Sequence, residues 1–202
     1  MTLKLNGSSS GSVSIDAPAS TTGGADLAYT LPDATTGGVI RTTTTPGAIL
    51  QVAQTLKTDG WNATVASGAE AEITGLALAF TPTLATSKVL LTVHVSAVAY
   101  GNKWMMFNLK RDSTAIGIGD QHGSNRRRST TGCFHNMGDT GMGGYDWTIL
   151  DSPSTTSAID YQVVIANASG SSGTFYCNQS NSGDYTYRGS FVSTITAMEV
   201  AA

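Results

Sequence analysis

The chain has 202 residues, of which 12 % are charged and 40 % hydrophobic, with a formal net charge of −3. The charged fraction is about half that of an ordinary soluble domain, and Ser, Thr and Gly take its place. The negative balance argues against general affinity for nucleic acid, which needs many phosphate-neutralising cations, and no run approaches the roughly 20 apolar residues of a membrane-spanning helix.

The N-terminal stretch MTLKLNGSSS lacks the apolar core of a signal peptide. Synthesis in a cytoplasm, without export by the usual route, is therefore expected. Two cysteines, Cys133 and Cys177, are too few for a disulfide scaffold and are expected as free, buried thiols. Residues 1–46 offer two short strands, Leu3-x-Leu5 and Val13-x-Ile15, then Leu27, Tyr29 and Leu31 and a Thr-rich linker. This segment has too little apolar surface to fold by itself. It must lie on its own domain, on identical neighbours or on a larger assembly, and Thr45-Pro46-Gly47 is read as its boundary with a domain over 47–202.

From Ile49 onward the apolar residues alternate with period two, the signature of strands with one buried face. In SKVLLTVHVSAVAY, Val89, Leu91, Val93 and Val95 fall on one face and Leu90, Thr92, His94 and Ser96 on the other. SFVSTITAMEV places Phe191, Ser193, Ile195, Ala197 and Glu199 opposite Val192, Thr194, Thr196, Met198 and Val200. Turn clusters such as TPTLATS, SPSTTS and NQSNSGD separate such runs. Roughly nine strands at this spacing predict an all-β, jelly-roll-like β-sandwich preceded by an extended N-terminal β arm.

The span from Gly117 to Gly132 breaks the pattern. It has little apolar content, strong turn chemistry and three consecutive arginines, Arg126, Arg127 and Arg128, so it reads as a long loop. Aromatic residues gather later. Trp104, Phe107 and Trp147 lie in apolar strands and are expected in the core, whereas Tyr185, Tyr187 and Arg188 in GDYTYRG are expected at an exposed hairpin tip. Rings beside Arg, Asn and Gln suit sugar faces and hydroxyls.

Catalytic signatures are missing: there is no Gly-x-Ser-x-Gly elbow, no His-Glu-x-x-His and no phosphate-binding loop. Carboxylates are scattered, with Asp59, Asp112 and Asp151 at turn-like positions. Asp120, His122, His135 and Asp139 could be drawn together as metal ligands, but surface-loop polarity explains them more simply. His94 reads as a hydrogen-bonded residue on a strand face. No enzyme activity, cofactor or metal is expected.

The stretches LNGSSSGSVSIDAPA and LPDATTGGVI resemble the N-terminal segments of virion structural and tail-fibre-like proteins of tailed bacteriophages, especially those infecting marine cyanobacteria. GAILQVAQTLKTD, ITGLALAFTPTLATSKVLLTVHVSA, LKRDSTAIGIGD, LDSPSTTSAIDYQVVI and STITAMEVAA are similar to the compact C-terminal heads of the same proteins. The resemblance implies a particle component located in the virion and assembled in the host cytoplasm, a homotrimer with a jelly-roll head and no assigned catalytic residues. Leu3, Leu5, Val13, Ile15, Leu27 and Leu31 would then dock the arm on other virion proteins. Three roles fit: a tail fibre or spike whose head faces the host, a capsid decoration or cement protein, and a glycan-degrading spike. For Arg126, Arg127 and Arg128, an anionic host polysaccharide or lipopolysaccharide phosphate, an acidic neighbour in the particle, and plain solvation all remain open.

Overall fold

Period-two alternation becomes strands throughout. A computed structural model describes residues 2–6, 12–16, 46–135, 141–181 and 189–202, and every regular element among them is a β-strand. The chain divides into two units, Met1–Ile40 and Arg41–Ala202. In the first, β1 (Thr2–Asn6) pairs antiparallel with β2 (Ser12–Asp16), and the register sets Leu3 opposite Ile15 and Leu5 opposite Val13. Leu27 and Leu31 lie outside the described residues.

The second unit is a sandwich of two antiparallel sheets. Its strands are β3 (Ile49–Lys57), β4 (Trp61–Val65), β5 (Glu70–Phe80), β6 (Lys88–Ala99), β7 (Lys103–Arg111), β8 (Thr114–Ile116), β9 (Thr131–His135), β10 (Gly143–Asp151), β11 (Ile159–Asn167), β12 (Gly173–Cys177) and β13 (Ser193–Val200). That is eleven strands among the described residues, where alternation suggested about nine. One sheet runs β3-β13-β6-β12-β4 with β10 on β6, and the other runs β5-β11-β7-β8 with β9 on β7.

These pairings are nested. β3 pairs with β13, β4 with β12, β5 with β11, β6 with β10 and β7 with β9, all antiparallel. The chain is thus one long hairpin folded over on itself, and the β13–β6 and β11–β7 ladders join the folded layers into sheets. With β4, β8 and β12 set aside, one sheet holds the first, eighth, third and sixth strands and the other the second, seventh, fourth and fifth. This is the strand order of a jelly roll. Entry and exit meet at the base, where Gly47 N–H donates to Ala201 O (2.7 Å) and Ala201 N–H to Ala48 O (2.9 Å). β8 and residues 117–130 form the tip.

Between the sheets lies one face of each alternating strand. Val89, Leu91, Val93 and Val95 of β6 are fully buried, against Met105, Phe107 and Leu109 of β7, Tyr161, Val163 and Ile165 of β11, and Ile195 and Ala197 of β13. Burial of each such side chain stabilises the fold by about 1.5–3 kcal/mol relative to exposure. In β5, strict alternation would turn either Ile73 or Leu76 outward. A register shift opposite Gln162 and Val164 corrects this, and Gly75 sits there with φ +85, a backbone state that costs glycine little. Ile73, Leu76, Leu78 and Phe80 are all buried as a result.

Three expectations need correction. Phe191 and Val192 are exposed and precede the last strand, which starts at Ser193. The physical reason is occupancy: β12 pairs with β6 at Ala97–Ala99, so β13 cannot continue along β6 beyond His94. The junction is closed by buried Asn178, which donates from Nδ2 to Lys57 O (2.9 Å) and accepts from Ser193 Oγ (2.7 Å). Asp151 is a buried strand residue, accepting from Arg111 Nη1 (2.9 Å) and Tyr161 OH (2.8 Å). Trp104 is half exposed, because it shares the parity of Asn108 and Lys110 while Met105, Phe107 and Leu109 face inward.

Glu199, at a core-facing position, is fully buried. Its carboxylate accepts from the N–H groups of Thr83 (2.8 Å) and Leu84 (3.1 Å), from Thr83 Oγ1 (2.9 Å) and from Gln51 Nε2 (2.6 Å). Burial raises its pKa, but the hydrogen bonds outweigh it and hold the group at about 2. The carboxylate thereby fixes the 81–87 turn that carries the chain from one sheet to the other.

Candidate functional site

The tip of the folded hairpin carries the arginines. The chain leaves β8 at Gly117 (φ +59), where a Cβ would lie 2.2 Å from the Ile149 side chain. Only glycine fits there without displacing Ile149. The loop then folds back on itself: Gly119 N–H donates to Ser129 O (3.2 Å), and Gln121 Nε2 donates to Gly123 O (2.6 Å) and Arg126 O (2.9 Å). Thr130 rejoins the sheet through its N–H to Phe107 O (3.0 Å). β9 begins at Thr131, so the strand already includes the last two residues of the expected loop, Thr131 and Gly132.

The three exposed arginines do different things. Arg128 Nε donates to Gly119 O (2.6 Å), and Arg127 Nη2 donates to Gly68 O. Both brace the loop. Arg127 also lies near Glu70, which accepts from Asn108 Nδ2 (2.6 Å) and pairs with Lys110 Nζ (2.6 Å). Partial burial raises the Glu70 pKa, yet Lys110, Asn108 and the Arg127 charge together hold it below its ordinary value. Arg126 differs: among the described residues its guanidinium has no hydrogen-bond or ion-pair partner.

Arg126 stands at a groove of about 580 Å³ on the outer face of the five-stranded sheet, lined also by Trp104, Met106, Asn125, Arg127 and Ala168. Trp104 pairs across the β7–β9 ladder with Phe134, their ring centroids 4.9 Å apart at 50°. A second hollow of about 340 Å³ shares Met106, Arg126 and Arg127 with the groove and extends to Gly68, Glu70 and Gln121. The two make one furrow between loop and sheet. A third hollow of about 410 Å³ lies by Tyr100, Lys103 and Thr174, but Lys103 Nζ there donates to Ser171 Oγ (2.8 Å).

The outer face of the six-stranded sheet is different in character. The register places Leu150 (β10), Leu90 (β6), Met198 (β13) and Val52 (β3) in one row across four strands, with Val200 and Ile49 paired beside it. Val52, Leu150 and Ile49 are each more than half exposed. Further along the face, His94 meets Asp146 at 2.7 Å and Ser96 Oγ at 3.2 Å, as a hydrogen-bonded strand residue.

Sequence reading placed Arg126, Arg127 and Arg128 on a loop, where the structure also has them, but placed Trp104 in the core. The available signal was its parity with Asn108 and Lys110. Tyr185, Tyr187 and Arg188 lie outside the described residues, as do Asp139 and the His135 side chain. Asp120 and His122 are exposed, and among the described residues no three His, Cys, Asp or Glu side chains are grouped to hold a metal ion. Cys133 and Cys177 form no disulfide and belong to opposite sheets, and Cys133 is half-buried where a buried thiol was expected.

No protein-family model matches the chain, and no curated protein matches it in sequence. Among solved structures, the chain is similar to infectious bursal disease virus of the Gx strain, with a TM-score of 0.41 and 13 % identity over 75 % of this chain and 37 % of that one. The VP2 subviral particle of the same virus gives 0.40 and 9 %, over 75 % and 37 %. A crystal structure of the viral particle gives 0.41 and 9 %, over 77 % and 36 %. The chain spans well under half the length of these proteins.

Proposed function

We propose that the chain is a structural protein of a bacteriophage particle, a homotrimeric tail-fibre- or spike-like component whose sandwich faces the host and whose residues 1–46 dock on other virion proteins. The observation that carries this reading is the contrast between the two outer sheet faces. One presents the apolar row Leu150, Leu90, Met198 and Val52, suited to burial against copies of itself. The other presents a furrow with a cation unpaired among the described residues and an aromatic ring, suited to a ligand. Glu70, Asp151 and Glu199 are engaged by cations, hydroxyls or backbone N–H groups in structural roles, which supports a binding rather than a catalytic protein.

The test is location. Antibody-gold labelling of purified particles, or an averaged particle image, should place the chain on the tail. Density distributed over the shell would replace this reading with a decoration or cement protein, whose coat-facing side would then be the apolar row.

A further inference from the structure

We propose that the furrow beside Arg126 is a binding site for an acidic glycan, one whose sugar carries a single carboxylate as a uronic acid does. The inference deepens the host-facing reading above and rests on it only for its biological setting. Three features converge. Arg126 is an exposed guanidinium without a partner among the described residues, at the edge of a groove large enough for several sugar rings. Such a group binds a carboxylate through two parallel N–H···O bonds. Trp104, on the same groove, is half exposed and has Phe134 against its ring. A braced, open indole is a stacking platform for the C–H face of a pyranose. Asn125 adds an amide with both donor and acceptor capacity for hydroxyls.

Charge selects among anions. N–H donors of Arg127 and Arg128 are engaged with Gly68 O and Gly119 O, and the nearby Glu70 carboxylate is already paired with Lys110. Among the described residues, Arg126 is then the one guanidinium at the groove whose N–H donors are uncommitted. That matches a singly charged carboxylate better than a doubly charged phosphate monoester. The groove is also preformed, since the loop is held by its own hydrogen bonds on a rigid sheet, so little ordering accompanies binding.

The experiment is calorimetric titration of the purified full chain with trisaccharides of galacturonate, mannuronate and glucuronate, each beside its methyl ester. The ester keeps the shape and removes the charge. At least one acid should bind, its ester roughly tenfold or more weaker, since a hydrogen bond to a charged group contributes about that factor. Arg126→Gln should lower affinity for the acid to that of the ester, with an unchanged melting temperature because its side chain is exposed, and Trp104→Ala should abolish binding of both while the chain stays folded, its melt lowered only by the lost contact with Phe134. Trp104→Phe should retain part of the binding. No binding by any of the three acids at millimolar concentration, or equal binding of acid and ester, would overturn the proposal. So would binding that survives Trp104→Ala, or binding displaced completely by equimolar inorganic phosphate. The titration is indifferent to where the chain sits on a particle, so its failure and that of the structural-protein reading are separable.

Discussion

Glu199 is the most consequential single residue of the sandwich outside the furrow. A carboxylate held at about 2, against its ordinary 4.5, stabilises the fold at any pH above 4.5. That contribution is lost as pH falls from 4.5 towards 2, where the native group takes up its proton. Thermal melts across this range should show a steep acid limb. Glu199→Gln should cost roughly 2–3 kcal/mol at neutral pH, the loss of hydrogen bonds to a charged acceptor, and the variant's melting temperature should vary much less between pH 5 and pH 2. An acid limb as steep in the variant as in the parent would move its origin to another carboxylate. Alternation put Glu199 on one face with Ile195 and Ala197, yet nothing local announced its burial or its partners, because Thr83 and Leu84 come from the distant 81–87 turn.

At the scale of elements, the loop at 117–130 divides its arginines between bracing and display. Replacing Arg127 and Arg128 by Ser removes two donors to backbone carbonyls, each contributing about 0.5–1.5 kcal/mol, so the melting temperature should fall by a few degrees. Arg126→Ser should leave it unchanged. Equal effects of the two replacements on the melt would contradict this division. Deleting residues 1–46 should leave a folded sandwich, because the closing bonds at its base come from Gly47, Ala48 and Ala201. The truncated chain should melt like the parent but fail to enter particles, and Val13→Ser with Ile15→Ser should fail likewise; immunoblots of purified particles from infected cells would show normal incorporation if docking resides in the sandwich instead. Individual strands were legible where one face is buried, as in β6 with Val89, Leu91, Val93 and Val95. They were less so where tertiary occupancy intervenes. β13 stops short of Phe191 because β12 already holds that part of β6, and the KWMMF run of β7 hides its outward Trp104 among apolar neighbours.

For the molecule as a whole, the exposed row on the six-stranded sheet predicts association. The purified chain should have three times its 20.8 kDa mass by light scattering. Val52→Lys with Leu150→Lys, at two positions already open to solvent, should release monomers with unchanged strand content. A wild-type monomer with a cooperative melt would defeat the trimer. Composition and alternation conveyed a sandwich, but not which strand lies beside which, since the partner of each strand is set by burial across the whole fold and not by its own residues. Even the furrow depends on this: Trp104 and Arg126 meet only because β7 and the tip loop pack on one sheet face.

The nesting of the hairpin also dictates when the protein can fold. Its outermost pair joins Gln51 to Glu199, separated by 148 residues, so β3 has no partner until the last strand has been made. At roughly 5–20 residues per second, ribosomes need on the order of ten seconds or more to span that interval. Throughout it, β3 lacks the only ladder partner it has among the described residues, and β6 lacks one of the two strands that flank it at Val89–His94. The nascent chain, with unsatisfied strand edges and non-local contacts that form slowly, is therefore the aggregation-prone species, and any stop before Ser193 leaves the sheet unclosed.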